Sequence, residues 1–443
     1  VYSCLSHDII AHETTHAVLD GMHRRFNEPS NPDVLALHEG FADVVALLQH
    51  FTIPEILARE ISRTRGDLEA ESMLGSLAIQ FGEATGARGA LRNAIGRLEN
   101  GVWRRIPPDP QELQRRRVPH SRGAILVAAV FDAFLACYQT RVSDLLRLAT
   151  GGTGILPTGA IHPDLAGRLA TEAAKTAGQV LDMCIRAVDY LPPVDVTFFE
   201  YLRALITADT DLVAEDRLNY RVALVEAFRR HGIYPIDLAT EPSEETPRTL
   251  SVDTLRWQGF DLDRLPAGTR KAVASAYAGI VEELKDFANA TLYITDREAL
   301  FHGAREERRR LHRRLRAAFK AVPSFAREFG LDPGLPFEVH QLHGAMRISG
   351  QGRPVPQFVV ILTQEKALEG APGGLFRGGC TLIVDLTIPA VRYRIVKDVN
   401  SVSRQQRTLE FNKAVKADPL HGLLFAPERK EPFAALHVSI EDG

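Results

Sequence analysis

Four cysteines, Cys4, Cys137, Cys184 and Cys380, are scattered over 443 residues with no CxxC spacing, which argues against a disulfide scaffold and against a thiolate zinc site. A reducing, cytoplasmic compartment fits that usage. No apolar run reads as long enough to cross a bilayer, and no signal peptide is visible, so no membrane partner is expected. Charge of one sign is missing too. A net charge of −3 gives no global field for nucleic acid or for an anionic membrane, so partners have to be argued locally. What remains is ordinary for globular protein, with 45% hydrophobic and 25% charged residues and a length that suggests two or three domains.

One stretch stands out against this background: His12-Glu13-Thr14-Thr15-His16, with Glu39 and Asp43 downstream in Leu37-His38-Glu39-Gly40-Phe41-Ala42-Asp43. At 3.6 residues per turn His12 and His16 share one helix face, so both imidazoles reach a single ion. A second helix carrying Glu39, folded back across the first, supplies a third ligand and leaves a fourth position for water, the open arrangement of catalytic zinc. Glu13, rotated about 100° from His12, lies beside that water as a general base. Asp43 follows Glu39 by four residues and shares its face. It can accept the spare ring N–H of a zinc-bound histidine, His12 first.

Each helix is argued from its own residues. Ser6 reads as an N-cap, Ile9, Ile10, Ala17 and Val18 as core contacts, and Gly21 as the stop. The second helix starts at Asn31 with Pro32 in the first position and continues through Phe51, apolar on most sides.

The constellation resembles the gluzincin metallopeptidases of the thermolysin and fungalysin type, in which an HExxH helix is followed by a helix with Glu-x-x-x-Asp. The fungalysin form, Glu-Gly-Trp-Ser-Asp, is close to Glu39-Gly40-Phe41-Ala42-Asp43. A second match is a histidine followed three residues later by glycine at the start of a buried helix, here His120 and Gly123. The resemblance extends over residues 5–234, ending in Ala227-Phe228-Arg229-Arg230-His231-Gly232. It implies a mainly α catalytic domain, a thermolysin-like zincin lobe, that holds Zn2+ and hydrolyses peptide or protein substrates. His120 is then the catalytic helper at the oxyanion and Arg122 a substrate-binding residue, with Tyr138 and His231 as weaker candidates. It also implies a β-rich portion ahead of the zinc helix. Because that helix starts within a few residues of Val1, the chain reads as a fragment whose N-terminal wall is missing or supplied by another chain.

The expected organisation is a zinc domain over 1–236, a Glu-, Thr-, Pro- and Ser-rich linker over 237–252, a helical segment over 253–330 and a small α+β domain over 331–443. Within the first part, helices are expected at 54–64, 68–80, 87–98, 163–187, 195–209 and 217–231, with an irregular loop at 104–119. Helices follow at 267–290 and 296–321. The arginine-rich run of the latter reads as a solvated face balanced by Glu306, Glu307 and i,i+4 pairing, so nucleic acid is not an expected partner. From residue 336 the period changes to two, giving strands at 338–348, 357–363, 380–387 and 391–399 of an antiparallel or mixed sheet. His340 and His343 alternate in face and suit no common metal.

Two functions from different classes meet these residues: a zinc endopeptidase, and a degenerate or metal-stabilised gluzincin domain acting as a protein-interaction module. Glu13 is dispensable for metal binding yet present, and so favours the enzyme.

Overall fold

The computed structural model describes residues 7–52, 54–68, 95–99, 102–234, 252–265, 267–291, 294–348, 352–387, 390–418 and 425. The chain is mostly helical and carries one four-stranded antiparallel sheet towards its C-terminus. At its centre is helix α2 (Pro32–Phe51), buried along nearly its whole length and flanked by α1 (His7–Met22), α4 (Pro119–Ala149) and α5 (Pro163–Ala187). Asn31 caps α2 as its sequence position requires, its side chain accepting from the Asp33 amide at 2.7 Å ahead of the Pro32 start. Helices α3 (Pro54–Thr64), α6 (Phe198–Leu212) and α7 (Tyr220–Arg230) complete the lobe, α6 opening on a capping box of Thr197 and Glu200.

Several expectations need correction here. Residues 96–99 form a strand, β1, paired with β2 (Val102–Arg105), where a helix to residue 98 was expected; the remainder of that helix, the expected helix 68–80 and the linker lie almost wholly outside the described residues. Helix α4 is, by length and composition, apolar enough to span a membrane, against the sequence reading, though 83% of its most apolar window is buried within the lobe. On α1, Ile10 and Val18 are exposed, Ala17 lies on the same outer face, and Leu19 supplies the core contact instead.

Strands β3 (Phe337–Ile348), β4 (Pro354–Ala367), β5 (Leu375–Asp385) and β6 (Ala390–Lys397) pair in sequence order. One face, with Val359, Ile361, Ile383 and Ile395, joins the core of the helical lobe. The other, with Phe358, Val360, Leu362 and Leu382, packs under α8 (Ala267–Thr291), α9 (Arg297–Ala321) and α10 (Pro323–Glu328). Strand alternation therefore places apolar residues on both faces, and the helical segment shares a hydrophobic core with one face of the sheet. A final helix, α11 (Val402–Ala417), follows β6.

Buried charge pins the sheet to the lobe. Asp195, in the left-handed conformation at φ 56°, accepts from Ser30 Oγ at 2.8 Å, Asn31 Nδ2 at 2.7 Å and Arg404 Nε at 2.9 Å. The cap of the central helix is thereby tied to α11. Asp189 takes His343 Nε2 at 3.2 Å and an ion pair from Arg347, both on β3. Burial alone would raise the Asp189 carboxyl, but those partners outweigh it and lower it to about 2. A carboxyl depressed on folding contributes stability that is complete above its unfolded value and is lost as pH falls through the folded one. Asp189 should therefore contribute about 2 kcal/mol at neutral pH that disappears between roughly pH 4 and pH 2. Urea unfolding across that range measures it, and Asp189→Asn should flatten the acid limb. An equal acid loss in both proteins would remove Asp189 as its source.

Candidate metal centre

The site is assembled by three helices, and two glycines set how closely they meet. A Cβ on Gly40 of α2 would lie 2.8 Å from the Gly123 carbonyl oxygen, and one on Gly123 of α4 would lie 2.8 Å from the Ala36 oxygen. The backbones of α2 and α4 thus touch where a side chain would force them apart. Gly40 follows Glu39 and Gly123 follows His120 by three residues, so the contact carries His120 onto Glu39, with Nδ1 to Oε2 at 3.0 Å. Helix α1 crosses the same stretch of α2 and delivers His12 and His16 one turn apart.

Three candidate ligand atoms converge. His12 Nε2 and His16 Nε2 are 2.9 Å apart, and Glu39 Oε2 is 3.5 Å from the first and 3.6 Å from the second. A tetrahedral zinc with ligands at about 2.1 Å spaces them by about 3.4 Å, so the triangle suits a zinc ion seated on three protein atoms with the fourth corner open. Glu39 supports the same fit. It is fully buried, and neither carboxylate oxygen accepts an aligned hydrogen bond although three imidazoles surround Oε2. A buried carboxylate of this kind is held by cations, which either a metal ion or the protonated imidazoles around it can supply. Among the described residues this is the single group of three such side chains close enough to hold a metal.

Behind the triangle, each histidine has its outer nitrogen held. His12 Nδ1 donates to Asp43 Oδ1 at 2.8 Å, which turns Nε2 towards the centre as the four-residue spacing from Glu39 predicted. His16 Nδ1 lies 2.5 Å from His38 Nδ1, with the two rings stacked at 4.7 Å. Burial, reinforced by His16, pushes the His38 imidazole down to about 3, so His38 is neutral; with His16 Nε2 given to a metal, the His16 Nδ1–H would donate to His38 Nδ1. The sequence reading gave His38 no role. A usable signal was there, since a histidine inside the otherwise apolar face of α2 has to find a polar partner.

Protons act as the cations in this arrangement. Burial alone would lower both His12 and His120, but Asp43 and Glu39 outweigh it for His12, raising it to about 11, and Glu39 does so for His120, raising it to about 9. Burial would raise Glu39, and His120 first, then His12 and His16, hold it well below the usual carboxylate range. Two imidazoliums therefore face two carboxylates, and a metal on His12 Nε2 takes the place of a proton.

Of the other residues singled out from sequence, Glu13 is exposed on α1 one position past His12. His120 lies on Glu39 with its side chain 30% exposed. Arg122 is the correction. Instead of projecting into a cleft it is buried, with Nε 2.5 Å from Asp33 Oδ1 and Nη1 donating to the carbonyls of Arg116, at 2.8 Å, and Leu113. Four residues past Val118 it closes the start of α4 onto the first turn of α2. Tyr138 donates to the Gly66 carbonyl and His231 pairs with Asp132, both buried and apart from the centre.

Asp43→Ala and His38→Ala should each weaken zinc affinity by roughly 10–100-fold with the three ligands in place, because each frees one ligating ring to rotate or change tautomer. Competition with a chromogenic chelator reads the dissociation constants. An unchanged value for either variant removes that residue from the support of the centre. No family model, curated protein or solved structure matches the chain.

Proposed function

We propose that the chain is a zinc-dependent endopeptidase, with His12, His16 and Glu39 holding Zn2+ and Glu13 as general base. The observation that supports it above all is the triangle of two imidazole nitrogens and one buried carboxylate oxygen within 4.8 Å of one another, with a carboxylate one residue along the same helix on the exposed side. Zinc bound there would supply a water acidified towards pH 7 or so and a Lewis acid for the scissile carbonyl. Glu13 accepts the proton of the attacking water and returns it to the leaving amine, so the peptide bond is exchanged for a carboxylate and a free amine with no further reactant. His120, whose Nδ1 lies 3.0 Å from Glu39 Oε2, is the hydrogen-bonding side chain beside the centre that would face the developing oxyanion.

The test is a zinc-loaded preparation of the whole chain incubated with a broad peptide library and read by mass spectrometry, with and without a chelator. Internal cleavage that the chelator abolishes and added zinc restores is the expected result. Full zinc occupancy without cleavage favours the metal-stabilised interaction module.

A further inference from the structure

Residues 305–320 of α9 carry eight arginines and lysines against two glutamates, in a chain whose net charge is −3. The sequence reading had the glutamates neutralising this face. The structure distributes the charges otherwise. Glu307 is turned inward and only 2% exposed, paired with Arg310 at 3.5 Å, and Glu306 pairs with Arg309 alone, at 2.7 Å. Arg308 donates to the His340 carbonyl at 2.9 Å and Arg314 pairs with Glu283 at 3.2 Å, so these two are taken up in packing α9 onto β3 and α8.

Arg305, Arg313, Arg316 and Lys320 are left exposed, with no hydrogen-bond or ion-pair partner among the described residues. At 100° per residue they fall with Arg309 inside a sector of about 80°, and at 1.5 Å per residue the stripe is about 22 Å long. Its cations recur about once per turn. Leu311, Leu315 and Phe319 point to the opposite side, into the core beneath the sheet. The sheet separates this layer from the helical lobe that holds the metal centre, so a partner on the stripe leaves that centre open.

We propose that this face of α9 is a docking surface for the phosphate backbone of a single-stranded nucleic acid, bound without regard to sequence. Charge complementarity indicates a polyanion. Four of the five cations are arginines, whose planar forks match phosphate oxygens better than lysine does, and a run of one charge per turn suits a ligand that repeats its charge along a line. A lipid surface fits less well, because among the described residues Phe301, one turn before Arg305, is the one exposed large apolar side chain near the stripe and none lies along 305–320 to enter the acyl region. Base reading is not built in along 305–320, where no exposed aromatic ring offers a stacking platform; Phe301 and His302 stand only at its N-terminal end.

The experiment is fluorescence anisotropy of the full chain with a labelled mixed-sequence single-stranded RNA, titrated at several salt concentrations between about 50 and 200 mM. The logarithm of the association constant should fall linearly with the logarithm of salt, with a slope near −3 for four to five contacting cations at about −0.7 each. Replacing Arg305, Arg313, Arg316 and Lys320 together by glutamate should weaken binding at the lowest salt by at least roughly 100-fold, reversing four of the charges that set that slope. A control pair on exposed arginines elsewhere, Arg147→Glu with Arg168→Glu, should bind as wild type. Circular dichroism checks that the variants keep their helices. Absence of binding at low salt, equal binding by the fourfold variant, or binding to phosphatidylserine vesicles but not to RNA each overturns the proposal.

Discussion

Glu13→Gln should keep full zinc content and an unchanged fold while peptide hydrolysis falls by at least about 10²-fold, the usual scale for loss of a general base. The replacement keeps the size of the side chain and a hydrogen-bonding end but removes the group that accepts a proton from water. Glu13 is exposed, so the substitution disturbs no core contact. It is not among the three atoms of the triangle, so metal occupancy should not respond. Elemental analysis and initial rates on one fluorogenic peptide, in a single buffer with matched zinc loading, decide the matter. A Gln variant as fast as wild type would remove Glu13 from the chemistry and with it the endopeptidase reading, leaving a metal centre without a base. The result is also informative about His120, because a residual rate above background in Glu13→Gln is what an oxyanion-stabilising side chain and a bound metal supply without the base.

How much of this was legible beforehand follows from the range of each interaction. His12, His16 and Asp43 announce themselves through spacing on single helices, because a helix converts a separation of four residues into a shared face. The ends of α2, α3 and α5 were readable for the same local reason: Asn31, Pro32, Pro54 and Pro163 punctuate the chain where the structure begins those helices. His38 and Arg122 were not readable, since what each does depends on an element far away in sequence. His38 meets His16 across a helix crossing, and Arg122 meets Asp33, 89 positions earlier. The sheet shows the same limit. Its strands could be found from their period, but period says nothing about what covers each face. That β4 lays Val359 and Ile361 on the helical lobe and Val360 and Leu362 under α8 to α10 becomes apparent only once both partners are in place. Gly40 and Gly123 stand between the two cases. They are visible in the sequence as motif positions, yet the reason for them, two backbones in contact beside Glu39 and His120, belongs to the packing.

Removing a ligand should have the other large effect, and it should differ between ligands in a way that the geometry dictates. Wild type is expected to bind about one zinc per chain, and both His16→Ala and Glu39→Ala to bind none at matched free zinc, because two remaining protein atoms do not make a site of this kind. The stability of the metal-free variants then separates them. His16→Ala leaves the buried His38 ring without its Nδ1 partner at 2.5 Å, a loss of about 1–3 kcal/mol for an unsatisfied polar group. Glu39→Ala takes a fully buried anion from between His12 and His120, leaving two imidazoles with Asp43 as the neighbouring carboxylate. Breaking a buried ion pair from one side costs about 3–5 kcal/mol, so this variant should unfold at distinctly lower denaturant and His120 should lose its raised pKa. Elemental analysis gives the stoichiometry, and urea unfolding in chelator gives the order of stabilities at neutral pH, wild type above His16→Ala above Glu39→Ala. Full zinc occupancy in both variants would mean that the triangle is not the metal site. A Glu39→Ala protein as stable as wild type without metal would mean that the carboxylate is not holding the two imidazoliums in place.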